Sequence, residues 1–312
     1  MSILFLDRKN IEIRTGGGVL TVYRDGARRN AVPLKMLDRI IIRADVALSA
    51  SVLTELAMQG VALTLITGRR GEKVAHLVGP QHNDANRRLA QYRACNDATQ
   101  RFSLAQATVA AKVRNQQGFI ETLIAARPDQ HRPLTKSAAT LEGINQKIAA
   151  ESNIDRLRGL EGAAASASFD ALKAVLPDSL DFNGRNRRPP RDPVNACLSL
   201  AYTLAHGDAI HACHGAGLDP YLGFLHDNAY GRESLASDLI EPLRPHIDEW
   251  VWGLFRDRIL NADHFSADGQ ACLLQKAGRQ HFYAHWSQRA PGFKRYLRRA
   301  AYNLVKQLTQ QP

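Results

Sequence analysis

Several things are scarce in this 312-residue sequence. Only four cysteines occur, Cys95, Cys197, Cys213 and Cys272, and none stands in a CxxC pair. That argues against a disulfide framework or a cysteine-based zinc site and predicts reduced thiols in a cytosolic protein. No run approaches the roughly 18–20 apolar residues that a membrane-spanning helix needs. The opening apolar stretch is broken by Asp7, Arg8 and Lys9, unlike a signal peptide. The expectation is therefore a cytoplasmic protein with no membrane association. Phosphate-binding and acyl-transfer signatures are also missing. The triplet Gly16-Gly17-Gly18 has neither GxGxxG nor Walker spacing, and no GxSxG occurs. Acids are outnumbered, 30 Asp and Glu against 41 Lys and Arg, for a formal net charge of +11. Such a surplus points to a polyanionic partner.

Two textures divide the chain. Residues 1–80 carry short runs rich in Val, Ile, Thr and Tyr (Ile3–Leu6, Ile11–Arg14, Val19–Tyr23, Ile40–Ile42, Val61–Ile66 and Lys73–Val78). Turn signals at Gly16–Gly18, Asp25-Gly26 and Thr67-Gly68 punctuate them. A short helix interrupts this β-rich module, with Ser51 as its cap, Val52, Leu53, Leu56 and Ala57 on one face, and Gly60 at its end. After Gly79-Pro80 the apolar period lengthens to three and four. Leu104, Ala107, Thr108 and Ala111 mark one helical face; Leu141, Ile144 and Ile148 mark another. The predicted fold is α+β: a small N-terminal domain over 1–80 and a large all-α domain over 86–312.

Positive charge is concentrated. Arg185, Arg187, Arg188 and Arg191 fall within seven positions of a proline-stiffened loop, where guanidinium forks suit phosphate oxygens. From Lys276 to Pro312 there are eight Lys and Arg residues, Arg295, Arg298 and Arg299 among them, and no acid. Phe293, Tyr296, Leu297, Ala300, Ala301, Leu304 and Leu308 give that last helix an apolar stripe. A solvated amphipathic face or a membrane-surface helix would use the same pattern.

Three segments pair acids and histidine in settings suited to chemistry. Glu161 precedes Gly162-Ala163-Ala164-Ala165, small residues that permit close approach. Asp219-Pro220 reads as the start of a helix with His226 two turns in. Ser234–Pro242 places Asp238 and Glu241 three apart, with Pro242 cutting the helix short. Carboxylates and an imidazole drawn from three segments form a plausible site for Mg²⁺ or Mn²⁺. Spacing alone does not bring them together; each also reads as a surface acid or a core histidine. His211, Cys213 and His214 lack a second ligand pair, and His281 and His285 lack the glutamate of HExxH.

In order along the chain, Leu160-Glu161-Gly162, Arg187–Ala196 continuing through Leu198–Tyr202, Gly217–His226 and Ser234–Pro242 resemble CRISPR-associated protein one, the integrase family of spacer acquisition, and Asn115-Gln116 adds to the likeness. The resemblance implies a β-sandwich-like N-terminal domain used in dimerisation and assembly, followed by a helical catalytic domain. It maps the family's metal-binding glutamate, histidine and aspartate onto Glu161, His226 and Asp238, with Glu241 a further candidate ligand. It implies Mg²⁺ or Mn²⁺, a homodimer, assembly with CRISPR-associated protein two, and double-stranded DNA as both donor and CRISPR repeat. The implied reaction is transesterification, a donor 3′-hydroxyl attacking a repeat phosphodiester. Arg185, Arg187, Arg188, Arg191, Asn195, Tyr202, Arg295, Arg298 and Arg299 are the candidate DNA contacts. Ser166 stands where the family has an arginine, and Ser168 and Phe169 stand at its aromatic pair. A metal-dependent nuclease for branched or damaged DNA, or a non-catalytic nucleic-acid scaffold, would fit the same residues.

Overall fold

A computed structural model describes residues 2–67, 73–77, 79 and 82–310. Gly68, Val78 and Pro80, which figure in the predicted turns and module boundary, lie outside that set. Strands β1 (Ser2–Leu6), β2 (Ile11–Gly16), β3 (Val19–Arg24), β4 (Ala27–Pro33), β5 (Leu37–Ile42) and β6 (Val46–Leu48) precede helix α1 (Ala50–Met58). Strands β7 (Ala62–Thr67) and β8 (Lys73–Leu77) follow it. They form two four-stranded sheets, ordered β1-β5-β7-β8 and β4-β3-β2-β6. Between the sheets lies a core of Leu6, Ile13, Leu20, Ile40, Ile42 and Leu63, closed by Val52 and Leu56 of α1. The cap of α1 is Ser49 rather than Ser51. Two strands escape the sequence pattern. Strand β4 carries Arg28, Arg29 and Asn30 and lies at a sheet edge, where polar side chains remain in water; β6 is only three residues long.

Period-two alternation gives the first sheet two apolar faces. Ile40 and Ile42 point between the sheets, while Ile41 and Ile66 join the core of the helical region. That region comprises α2 (Ala85–Asn96), α3 (Ala98–Ala126), α4 (His131–Ala150), α5 (Ile154–Val175), α6 (Pro193–Ala216), α7 (Ser234–Ile240) and α8 (Arg244–Arg256). A hairpin of β9 (Phe265–Asp268) and β10 (Ala271–Leu274) leads to α9 (Lys276–Thr309). This hairpin is absent from the all-α expectation; its strands are four residues each, too short for a periodic signal. The buried stripe of α3 is Ala105, Val109, Lys112, Val113 and Gln116, not the face through Ala107, which is exposed. Polar residues in the true stripe hide it from a hydrophobicity count.

The sheet and the helices are joined by buried charge. Arg39 Nη2 of β5 meets Asp208 Oδ1 of α6 at 2.8 Å, with both side chains 3% exposed. Lys294 Nζ of α9 lies 3.5 Å from Asp38 Oδ2 and 4.0 Å from Asp208 Oδ1. Gly207 permits this approach, since a Cβ there would lie 2.7 Å from the His76 ring. The apolar stripe of α9 is interior: Phe293, Leu297, Ala301 and Leu304 are buried. That face is therefore not free to enter a lipid surface. Among the described residues no helix is long and apolar enough to cross a membrane.

Candidate metal and nucleic-acid site

The acid and histidine segments meet in one cleft of about 550 Å³, walled by α3, α5, α6, the segment before α7 and the turn after it. Glu161 reaches it from the middle of α5, whose start is capped by Asn153. His226 reaches it from an irregular segment, not from a helix. Asp219 does not cap a helix; its carboxylate accepts from Tyr221 N at 2.9 Å and from the Tyr92 hydroxyl at 3.1 Å. Gln91, Arg101 and Arg158 tie this segment down by donating to the carbonyls of Asp219, Leu222, Phe224 and Leu225. Three neighbouring helices thus do the work of a regular backbone ladder.

Asp238 and Glu241 have different surroundings. Asp238 is 4% exposed, and both oxygens are engaged. Oδ2 accepts from the amides of Phe224 at 2.6 Å and Leu225 at 3.0 Å. Oδ1 accepts from the amide of His226 at 3.1 Å and pairs with its Nδ1 at 2.7 Å. Gly223 makes this wrap possible, because a Cβ there would fall 2.8 Å from Asp238 Oδ2 and from Ser234 backbone. Asp238, expected as a ligand, is thus spent on the loop and on the imidazole and does not line the cleft. With Nδ1–H donated to a carboxylate, the His226 lone pair is on Nε2.

Glu241 does line the cleft. Helix α7 stops at Ile240, and Pro242 turns the chain through a 3-10 turn, Glu241–Leu243, held to α3 by Asn115 Nδ2 donating to Pro242 O at 2.7 Å. Glu241 accepts from Arg244 Nε at 2.8 Å and from Lys112 Nζ at 2.5 Å. Lys112 also donates to Glu161. Burial pushes the Glu241 carboxyl up, but Arg244 and Lys112 outweigh it and hold it well below the usual range. Burial likewise pulls Lys112 down, and Glu241 and Glu161 reverse that. Among the described residues no three His, Cys, Asp or Glu side chains converge on one point as they stand. The seat between Glu161 and Glu241 holds an ammonium of the chain's own. Two carboxylates already gathered around a cation, beside an imidazole with a defined free nitrogen, fit a hard or borderline divalent ion.

Arginines surround this cluster. Arg185, Arg187, Arg232 and Arg244 all line the cleft. Tyr202 is buried, with the Arg244 guanidinium 4.4 Å and the Arg185 guanidinium 5.5 Å from its ring centroid. Its hydroxyl donates to Asp248, and burial with that carboxylate drives its own pKa well up. Asn195, expected as a DNA contact, is fully buried. It donates to Gly184 O and Asp192 Oδ2 and accepts from Arg185 Nη1 and the Asn186 amide, so it shapes the arginine loop. Cys272 N of β10 donates to Pro190 O and supports the same loop. Arg187, Arg188 and Arg191 are exposed, but only Arg187 lines the cleft. Arg295, Arg298 and Arg299 are exposed on α9 and line none of it. Ser166 stands exposed at the cleft wall, Phe169 lines it, and Ser168 is buried. Lys112, Arg232, Arg244 and Asp248 escaped the sequence reading. A lysine within the buried stripe of α3, and an arginine one turn past Glu241, are the signals that mark two of them.

Asp248 offers a pH test. Burial raises its carboxyl to about 6, against the lowering pull of Tyr202, Arg244, Lys112 and Arg185. A raised folded-state value means the unfolded chain loses the proton first, so ionisation costs stability between about pH 4 and 6. Asn keeps an acceptor for Tyr202 and carries no charge. Asp248→Asn is expected to gain on the wild type by roughly 2–3 kcal/mol across that window and to keep the gain above it. Denaturant unfolding at pH 4 to 8 measures the difference; a flat profile would contradict it.

The family model for CRISPR associated protein Cas1 matches residues 4–288. The chain belongs to the Cas1 family. A "CRISPR-associated endonuclease Cas1 1" of Thermodesulfovibrio yellowstonii is 36% identical over 296 residues, covering 92% of this chain and 91% of that protein. A CAS1 protein from Thermotoga maritima superposes with TM-score 0.87 at 21% identity, covering 100% of this chain and 98% of the other. A casposase bound to integration product gives 0.83 at 20% identity, covering 100% and 92%. A Cas6-RT-Cas1–Cas2 complex gives 0.82 at 21% identity, covering 98% of this chain and 35% of the larger one. As in the Cas1 neighbours, a β-rich N-terminal region precedes a helical domain.

Proposed function

We propose that this Cas1 chain is a divalent-metal-dependent DNA integrase and endonuclease of CRISPR adaptation, joining a donor 3′-hydroxyl to a repeat phosphodiester. The observation that carries the reading is the convergence of Glu161, His226 and Glu241 on one cleft rimmed by Arg185, Arg187, Arg232 and Arg244. A buried acid and a half-buried one at the base of a basic cleft suit phosphodiester chemistry; a scaffold that only binds DNA has no use for them. In this reading Glu161, Glu241 and His226 Nε2 hold Mg²⁺ or Mn²⁺, and Asp238 fixes the imidazole instead of binding the ion. When bound, the metal supplies Lewis-acid stabilisation of charge on the phosphate oxygens. Arg185, Arg187 and Arg232 orient the strand by its phosphates, and Arg244 keeps Glu241 ionised. Exchange of one phosphodiester for another needs no nucleotide cofactor, in line with the missing phosphate loops. Arg188, Arg191, Arg295, Arg298 and Arg299 extend the basic surface along the duplex beyond the cleft.

The casposase neighbour is bound to an integration product, which favours joining over cleavage alone. By analogy with the Cas6-RT-Cas1–Cas2 complex, the chain assembles with Cas2; a homodimer, and a cytoplasmic location in keeping with its four free thiols, belong to the same proposal. An integration assay on a supercoiled repeat plasmid, with Mg²⁺ or Mn²⁺ and with or without Cas2, tests the reading. Joined donor–repeat products are expected from the wild type and none from Glu161→Gln. Cleavage without joining would favour a nuclease; identical products from the two proteins would end the site assignment.

A further inference from the structure

On the reading of this cleft as a divalent-metal site for DNA, Lys112 becomes its most unusual member. A lysine 4% exposed is rare unless paired, and this one is paired twice, with acids from two different elements. Those two acids are the carboxylate ligands assigned to the metal. An ammonium and a divalent ion cannot share the same seat without strong repulsion in so dry a place. One turn along α3, Gln116 faces the same cleft and is 2% exposed, and its Oε1 has no hydrogen-bond partner. Residues four apart lie on one helical face. The structure therefore holds a second acceptor for the ammonium, vacant in this state.

We propose that Lys112 is a resident cation that keeps the metal seat closed in the free protein and yields it when a DNA phosphodiester enters the cleft. Phosphate oxygens compete for the ammonium as charge-assisted acceptors, and Gln116 Oε1 completes its new surroundings. Glu161 and Glu241 are then released to a metal ion. Metal uptake and DNA binding become reciprocally coupled, each favouring the other by the same factor. The device keeps the free protein from carrying a loaded hydrolytic centre.

Mn²⁺ binding, followed by the electron paramagnetic resonance of the free ion, tests this on the full-length protein without any turnover. The DNA is a duplex whose donor end lacks the 3′-hydroxyl. Wild type is expected to bind Mn²⁺ at least about tenfold more tightly with the DNA than without it. Lys112→Met is expected to bind Mn²⁺ at least about tenfold more tightly than wild type without DNA, and to gain less than about threefold from DNA. Lys112→Arg, which keeps the charge, should show no gain in the free protein. The proposal is overturned if DNA leaves the wild-type affinity unchanged, a result that needs no variant to fold. It is equally overturned if folded Lys112→Met binds Mn²⁺ no more tightly than wild type. Either result, with Mn²⁺ binding still lost in Glu161→Gln, leaves the metal assignment standing. If neither DNA nor Glu161→Gln alters Mn²⁺ binding, the metal assignment itself has failed.

Discussion

Glu241→Gln is expected to lose strand joining by about a thousandfold or more and, separately, to lose about 3–5 kcal/mol of folding stability. The first loss follows from its assignment as a metal ligand, where several kcal/mol of transition-state stabilisation are at stake. The second follows from what surrounds it. Its side chain is 6% exposed and faces Lys112 on one oxygen and Arg244 on the other. A neutral amide leaves buried Lys112 and part-buried Arg244 facing one another without the carboxylate that joins them. Glu161→Gln separates the two effects. Its side chain is 24% exposed and, among the described residues, pairs with Lys112, so the activity loss should match while stability falls by no more than about 1 kcal/mol. Joining assays and denaturant unfolding on both variants check the contrast. If Glu241→Gln joins DNA at a rate near wild type, the ligand assignment is wrong.

Asp238→Asn is the second large effect, and it reaches the chemistry through His226. The wild-type carboxylate accepts three backbone amides and the imidazole Nδ1–H. An asparagine has one accepting oxygen, and its NH₂ group meets donors wherever it is turned. If it faces the ring, it donates to Nδ1 and drives the proton to Nε2, the nitrogen the metal needs bare. A fall in joining of about a hundredfold is expected, at the upper end for partners that orient a ligand. The unsatisfied amides add about 2–4 kcal/mol of instability. The imidazole nitrogen-15 shifts of His226 provide the decisive readout: protonation at Nδ1 in the wild type and at Nε2 in the variant. Joining within threefold of wild type, or an unchanged tautomer, would contradict the positioning role.

The segments that form the cleft could be picked out from the sequence, because Glu161, His226 and the Asp238–Glu241 pair sit in ordered blocks. Their division of labour could not. Asp238 and Glu241 are acids three positions apart, one on α7 and one in the turn after it, and the path of residues 223–226 decides which meets backbone amides. That path is irregular and is held by Gln91, Arg101 and Arg158 from far away in the chain, so Asp219-Pro220 reads as a helix start when it is a turn. The family resemblance offers Asn195 as a DNA contact, yet its amide is consumed in shaping the arginine loop beside it. Lys112 is hard to read for another reason. Charge on a helix normally marks the wet face, and here it marks the interior. The alternation of β5 is easier to read, since its apolar run implies burial on both faces, one against each core.

The end of the chain carries a consequence for anyone trimming the protein. Similarity to the family model ends at residue 288, a natural place to cut if the basic remainder of α9 is taken for a dispensable tail. Yet beyond that point lie Phe293, Leu297, Ala301, Leu304 and Val305, all buried, and Lys294, whose ammonium stands beside Asp38 and Asp208. A protein shortened there would expose a trough of apolar side chains and leave Asp38 without its counter-ion where the sheet meets the helices. What looks like a detachable basic arm is the keystone joining the two halves of the molecule, and its removal would confuse loss of DNA contacts with loss of the fold.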